Sequence, residues 1–169
     1  KHDNKEYLDK LDDPELFQSA MQNLTDIIVY DIFSPPVASR VYLYPTIAAY
    51  EIIAKYNPEN FISLAGQVKD LGNIPKPGEV TISPNLAAIF CFNIVGKKLI
   101  FSQEKMESFE NELNKKLIQY EVPKNVIRTS KHYAKKVAEF ILEWASKDMY
   151  SQTRTFPKYS IKDEDQYWK

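Results

Sequence analysis

An arginine inside an apolar helical segment is the feature that most constrains the fold of this chain. The segment spans residues 31–51 and reads DIFSPPVASRVYLYPTIAAYE. Ser34 is a favourable helix N-cap, because its hydroxyl can accept a backbone N–H that would otherwise lack a partner. Pro35 and Pro36 suit the first turn of a helix, where their missing N–H groups cost nothing. The segment therefore predicts a helix from Ser34 to about Tyr56.

Arg40 falls on the inward face of this predicted helix. Arg40, Tyr44 and Glu51 recur at helical spacing, so their side chains share one face. A charged side chain in a core is costly unless it is paired and hydrogen-bonded. Asp31 and Glu51 are the nearest acids in the sequence, and we therefore predict a structural charge cluster of Asp31, Arg40 and Glu51. Pro45, in the middle of the helix, is expected to kink or briefly interrupt it.

The rest of the chain predicts an all-α fold, a bundle of about five helices with one long irregular connection. Hydrophobic residues make up 44% of the chain and aromatic residues 13%, which supports a packed core, and only 4 glycines argue against a β fold with many tight turns. The first predicted helix begins at Asp13. The other four run from Ser34 to about Tyr56, from about Pro84 to Leu99, from Ser102 to before Pro123, and from Lys124 or Ser130 to Asp148. Residues 57–83 form the connection, and either a packing role or a binding role is open for it.

Composition excludes some partners. The net charge is −1, with 22 basic and 23 acidic residues, so there is no electrostatic reason to expect nucleic acid or an anionic membrane surface as a partner. The apolar runs are too short for a transmembrane segment. Cys91 is the single cysteine and lies in an apolar run, which indicates a buried, inert thiol.

Two blocks of the sequence resemble the N-terminal helical half of the superfamily of vanadium-dependent haloperoxidases and type 2 phosphatidic acid phosphatases. The first block is the 31–51 segment. The second is SKHYAKKVAEFILEWASKD, from Ser130 to Asp148, with the extended run that follows it. Family members often carry glycine where this chain has Ala134, a change that favours the helix. The likeness runs from about Leu24 to Trp168 and is closest to the exported haloperoxidase-like proteins of Bacteroidetes.

The motifs that carry the chemistry of this superfamily are absent from the chain. The family holds vanadate or phosphate with K-x6-R-P, P-S-G-H and S-R-x5-H elements, and none of the three occurs here. His2 and His132 are the only histidines, and neither follows Ser-Gly. Oxyanion chemistry needs a cluster of fixed cations around the reacting group. We therefore expect no catalytic residue, no metal ligand and no cofactor in this chain, with vanadate or phosphate bound by a full-length parent, and we interpret His132 as a surface residue.

The resemblance implies that residues 1–169 form a single helical domain, the N-terminal half of a larger all-α fold. Its main partner would be its own C-terminal catalytic half, with a homo-oligomer as a further option, and it would be exported to the periplasm or anchored as a lipoprotein. We predict that residues 1–12 are a polar tether and that residues 149–169 are an extended crossover toward that C-terminal half. In the crossover, Arg154, Lys158 and Tyr159 are the candidate substrate-facing residues, the other interpretation being that they pin the crossover in place.

Two functions remain open at this point. In the first, the chain is the helical scaffold of a haloperoxidase or acid-phosphatase-like enzyme and is inactive alone. In the second, it is a stand-alone all-α protein-interaction module. If the chain is half of a larger fold, some of its apolar surface must face the other half. We expect the helix Leu86–Ile100 to contribute to that surface, together with Phe156, Tyr159 and Trp168.

Overall fold

The computed structural model describes residues 6–157, which form seven α-helices and no β-strand. Five helices are long and two are short, so the predicted all-α bundle of about five helices is confirmed. The elements are α1 (Glu6–Leu11), α2 (Pro14–Tyr30), α3 (Pro35–Tyr56), α4 (Pro84–Leu99), α5 (Gln103–Gln119), α6 (Lys124–Ala145) and α7 (Tyr150–Thr153). None of the described helices has the length and hydropathy that a membrane crossing requires.

Helix α4 is the centre of the bundle. It packs mainly against α3 and α6, and also against α2 and α5. It is apolar on nearly all sides, as a central helix must be, and most of its residues between Leu86 and Gly96 are buried. Cys91 is among them, and burial raises the pKa of its thiol. The expectation that this helix exposes apolar surface to another half is therefore wrong, because the other helices of this chain cover it.

Helix α3 runs as one element through Pro45. Of the two outcomes that we expected there, a kink or a brief interruption, the structure excludes the interruption, and the buried proline ring lies against α4. A Cβ added at Gly96 would lie 3.7 Å from the Pro45 Cγ and 3.3 Å from the Met106 Cε. The missing side chain at Gly96 therefore allows α4 to approach both neighbours closely.

Two helices end in Schellman motifs whose left-handed residue is not glycine. At the end of α2, Ile32 has φ +55°, and the Phe33 amide donates to the Ile28 carbonyl at 3.2 Å. At the end of α5, Glu121 has φ +56°, and the Val122 amide donates to the Leu117 carbonyl at 3.1 Å. In both motifs an apolar residue after the turn accompanies an apolar residue in the last helical turn, as is usual for this cap.

The connection 57–83 is irregular but is held against α3 and α6. The Trp144 indole donates to the Lys69 carbonyl at 3.1 Å, and the Tyr133 hydroxyl donates to the Pro75 carbonyl at 3.1 Å. The Ser83 amide donates to the hydroxyl of the buried Ser130 at 3.0 Å. These hydrogen bonds, with the buried side chains of Leu71 and Ile74, support a packing role for the connection.

Both ends of the described chain differ from expectation. The region predicted as a polar tether, residues 1–12, contains helix α1, because the apolar residues Tyr7 and Leu11 share one face within an otherwise polar stretch. Leu11 is buried, and the Asp12 carboxylate accepts a hydrogen bond from Asn85 at 2.6 Å. The region predicted as extended, residues 149–169, begins with helix α7.

Candidate functional site

The ion pair with the shortest distance in the described structure joins α3 to the segment just after α6. The Arg40 Nε lies 2.6 Å from a carboxylate oxygen of Asp148, and the two side chains are 19% and 22% exposed. The same oxygen accepts a hydrogen bond from the Tyr44 hydroxyl at 2.9 Å. The other oxygen accepts the Tyr150 amide at 2.9 Å. Both oxygens of Asp148 are therefore engaged in holding neighbouring groups in place.

Aromatic rings enclose this ion pair. The Arg40 guanidinium lies 4.5 Å from the centre of the Tyr150 ring and 5.1 Å from that of Tyr44. Tyr44 in turn packs edge-on against Trp144, with ring centres 5.3 Å apart. Met149 has φ +63°, and this left-handed residue turns the chain between Asp148 and Tyr150. The reversal allows Asp148 and Tyr150 to contact the same arginine.

The surroundings of Asp148 favour its ionised form. Burial of Asp148 opposes ionisation, but hydrogen bonds from Arg40, the Tyr150 amide and Tyr44 outweigh this effect and hold the pKa of the carboxyl below its usual value. Burial, followed by the hydrogen bond to the Asp148 carboxylate, raises the pKa of Tyr44 to about 12. Asp148 is thus ionised and Tyr44 is protonated at neutral pH. We therefore interpret the ion pair and the hydrogen bonds to Asp148 as a structural contact.

The predicted cluster of Asp31, Arg40 and Glu51 is wrong, because each residue contacts a different part of the chain. Arg40 and Glu51 share a face of α3 but are separated by three turns, about 16 Å along the axis. Asp31, the residue that ends α2, accepts the Phe101 amide at 2.9 Å and the Ser102 hydroxyl at 2.5 Å. Asp31 therefore binds the backbone just before α5, and Ser102 itself makes no side-chain capping hydrogen bond.

Glu51 anchors the irregular connection. Its carboxylate is 2% exposed, and it accepts the Ser63 hydroxyl at 2.6 Å and the Leu64 amide at 2.7 Å. A buried carboxylate is tolerated when hydrogen bonds replace its hydration. The sequence analysis correctly placed Glu51 on the inward face of α3, but its partners are polar groups of the connection rather than an arginine.

Of the three candidate substrate-facing residues, Arg154 lies within the described residues, and Lys158 and Tyr159 lie outside them. Arg154 is exposed at the end of α7, and its guanidinium lies 5.9 Å from the centre of the Tyr150 ring. Tyr150 therefore connects Arg154 to the Arg40–Asp148 pair. Whether Arg154 faces a substrate stays a prediction.

Sequence reasoning missed Asp148 as the partner of Arg40. The two residues are separated by 108 positions, and no local pattern links them. One signal was present: Asp148 closes the WASKD stretch of the second family-like block, directly after the last buried turns of α6. An acid at the end of a buried helical face is a candidate partner for an unpaired arginine elsewhere.

No other constellation among residues 6–157 resembles a catalytic centre. These residues contain no group of three or more His, Cys, Asp and Glu side chains that could hold a metal ion. An apolar cavity of about 320 Å³ lies between the start of α2, α3 and α4. Asp12 and Asp13 line it, and two carboxylates disfavour an oxyanion there. His132 is exposed on α6, in agreement with its interpretation as a surface residue.

The residues of this chain do not fit the vanadate site that the resemblance implies. That site needs a histidine within the three family motifs and a set of cations around the oxyanion. The 169-residue sequence contains none of these motifs.

Comparison with known proteins shows similarity to a solved structure. No protein-family model and no curated protein matches the chain. A solved structure described as the first bacterial vanadium-dependent iodoperoxidase superposes on it with a TM-score of 0.82 and 42% sequence identity. The match covers 90% of this chain and 36% of the iodoperoxidase chain, so this chain spans about a third of that protein's length. In sequence and in fold, this chain is related to the vanadium-dependent haloperoxidases.

Proposed function

We propose that this chain is the helical scaffold portion of a haloperoxidase or acid-phosphatase-like protein, whose vanadate- or phosphate-binding residues lie outside these 169 residues. The observation that carries the proposal is the asymmetric coverage of the match, 90% of this chain against 36% of the iodoperoxidase. The absence of the three oxyanion-binding motifs from the sequence supports it. The partner of this scaffold is a C-terminal catalytic half.

In this proposal the Arg40–Asp148 pair sets the direction in which the chain leaves the scaffold. Asp148 holds Arg40 through one oxygen and the Tyr150 amide through the other. Arg154 follows four residues after Tyr150 and contacts its ring. The pair would thereby orient the segment that carries Arg154, Lys158 and Tyr159, which we propose to lie at the rim of the oxyanion pocket.

We further propose that the parent protein is a haloperoxidase or a phosphatase of the superfamily, from the Bacteroidetes haloperoxidase-like branch. It is exported to the periplasm or anchored as a lipoprotein, alone or as a homo-oligomer. The iodoperoxidase match favours halide oxidation over phosphate ester hydrolysis as the activity of the parent.

The test compares the 169-residue chain with the product of its extended reading frame. We expect the chain alone to show no iodide or bromide oxidation with vanadate and peroxide, and no hydrolysis of a generic phosphomonoester. We expect the extended product to contain K-x6-R-P, P-S-G-H and S-R-x5-H and to have one of these activities. Turnover by the 169-residue chain that His132→Ala abolishes would overturn the proposal, as would an extended product without the motifs.

The alternative is a stand-alone all-α protein-interaction module, for which the described structure offers an exposed apolar surface. Val29, Tyr30, Ile32 and Phe101, which we call the apolar patch, are 71%, 63%, 87% and 77% exposed at the junction of α2 and α5. As an interaction module, the chain would bind a separate protein through this patch. As a scaffold, the same patch would face the C-terminal half, and that half, added in trans, would protect it from labelling.

A further inference from the structure

A cationic cavity lies between the irregular connection and α6, away from the Arg40–Asp148 pair. Its volume is about 260 Å³. Its charged and polar lining consists of Lys76, Arg128, Thr129, His132, Tyr133 and Lys136. Four of these six side chains are basic and none is acidic, in a chain whose net charge is −1. The cavity is therefore a local concentration of positive charge that the overall composition does not indicate.

The helical geometry of α6 explains how the basic side chains meet. Arg128, His132 and Lys136 follow one another at intervals of four residues, which places them on one face with an axial rise of about 6 Å per step. Two hydrogen bonds hold the connection against this face: Thr129 donates to the Thr81 carbonyl at 2.5 Å, and Tyr133 donates to the Pro75 carbonyl at 3.1 Å. The connection thus forms a second wall that carries Lys76.

These cations have no acidic partner within residues 6–157. None of Lys76, Arg128, His132 and Lys136 forms an ion pair there. The neighbouring lysines of the same helix do have partners: Lys135 lies 3.9 Å from Glu139, and Lys131 lies 5.5 Å from the centre of the Phe90 ring. All four basic residues that line the cavity are thus without an ion-pair partner among these residues.

Like charges four residues apart destabilise a helix. A bound anion would remove this repulsion and would gain charge-assisted hydrogen bonds, which arginine forms with phosphate in a bidentate geometry. Arg128 and Lys136 are two turns apart, about 12 Å along the axis. This spacing along the backbone lets a molecule with two oxyanion groups meet both side chains without drawing them together, and the volume is below that of a typical drug-sized site.

We propose that this cavity binds a small molecule that carries two oxyanion groups, as a diphosphate does, with Arg128 and Lys136 each holding one group. Lys76 and His132 line the same cavity and supply further donors. The site is independent of the proposed scaffold function, because it lies wholly within the described chain. It requires neither vanadate nor a C-terminal half.

Thermal unfolding with pyrophosphate as the probe tests the proposal on the 169-residue chain. At about ten times its Kd, pyrophosphate should raise the Tm by roughly 3–6 °C relative to sodium chloride of equal ionic strength. The rise should at least halve in Arg128→Gln or Lys136→Gln and vanish in the double variant. Lys135→Gln, which removes an adjacent cation outside the cavity, should keep the full rise. Removal of repelling charges leaves the fold intact, so the variants remain measurable.

A second measurement locates the bound molecule. The ring Hε1 resonance of His132 should shift during the pyrophosphate titration, followed in His2→Gln so that His132 is the only histidine. Inorganic phosphate should bind at least tenfold more weakly, because it can contact only one end of the cavity. Equal Tm shifts in all variants, a shift no larger than that with sodium chloride, or a stationary His132 resonance would each overturn the proposal. Equal affinity for phosphate and pyrophosphate would overturn the assignment of two anionic groups.

Discussion

The Arg40–Asp148 pair fastens the start of α3 to the end of α6, and its removal should destabilise the fold. Arg40→Met would leave a partly buried carboxylate without its cation, and would also leave the Tyr44 and Tyr150 rings without the group that they enclose. The pair is intermediate between an exposed and a buried one, so we expect a loss of roughly 2 kcal/mol, or about 4–8 °C in Tm. Lys115→Met is the control, because Lys115 pairs with Glu112 on the surface with 69% of its side chain exposed. Equal losses in the two variants would contradict this role for Arg40.

The same pair predicts an acid-dependent loss of stability. The pKa of Asp148 is lower in the folded chain than in the unfolded chain, so the folded state binds fewer protons in that range. Its contribution is therefore fully present above the unfolded carboxyl pKa of about 4 and is lost as the pH falls through the folded value. The free energy of unfolding, measured by urea from pH 7 to pH 2.5, should converge for the native chain and Asp148→Asn at the acid end. A constant difference across this range would contradict the prediction.

At the residue scale, the sequence predicted that Arg40 needs an acidic partner, but it did not identify Asp148 as that partner. The position of Arg40 on an inward face follows from helical periodicity and is confirmed. Asp148 is separated from it by 108 positions, and its approach depends on how α6 packs and on the left-handed turn at Met149. Packing of distant elements is not encoded in a local pattern, so the nearest acid in sequence was a poor guide.

At the scale of elements, the Glu51 carboxylate is the anchor of the 57–83 connection. Glu51→Ala would leave the Ser63 hydroxyl and the Leu64 amide without an acceptor, at a cost of roughly 2–4 kcal/mol. The freed connection should also be cut faster by trypsin after Lys69, an exposed residue, in limited proteolysis at 25 °C. Glu79→Gln changes an exposed acid of the same connection and should alter neither the Tm nor the cleavage rate. An unchanged cleavage rate in Glu51→Ala would show that other contacts hold the connection.

Most helix boundaries were predictable, and the exceptions have physical causes. Asp13, the predicted N-cap of α2, accepts the Glu15 amide at 2.9 Å, whereas Ser34, the predicted N-cap of α3, makes no side-chain capping hydrogen bond. Ser83 precedes Pro84 and accepts the Leu86 amide at 3.2 Å, a cap that the sequence analysis did not single out. Helix α1 was missed because a six-residue helix offers too few positions to establish a period. The ends of α2 and α5 carry Ile32 and Glu121 where glycine is usual, so the common signal for a helix end was absent.

At the scale of the whole molecule, the apolar patch is an exposed apolar surface that the sequence analysis did not predict. Phe156 is exposed, Tyr159 and Trp168 lie outside the described residues, and the α4 helix is covered. The patch combines the end of α2 with Phe101, two residues before α5, and the rings of Phe33 and Phe101 are 4.9 Å apart. Asp31 ties these two places together, so the patch is built on a hydrogen-bonded junction.

One residue of the apolar patch, Ile32, combines an unfavourable backbone conformation with an exposed apolar side chain. Ile32 is 87% exposed and left-handed, a conformation that costs a residue with a Cβ roughly 1–2 kcal/mol. Ile32→Gly should therefore leave the Tm unchanged or raise it by a few degrees, while it reduces the binding of a hydrophobic dye to the isolated chain.

Ile118→Ser is the control for this variant. Ile118 is 75% exposed and lies far from the patch, near the other end of α5. Serine is chosen because glycine at this position would weaken α5. Ile118→Ser should leave dye binding nearly unchanged. A selective loss of dye binding in Ile32→Gly would assign the dye site to the junction of α2 and α5. An equal loss in the two variants, or a native chain that binds no dye, would show that the patch is not a distinct interaction surface.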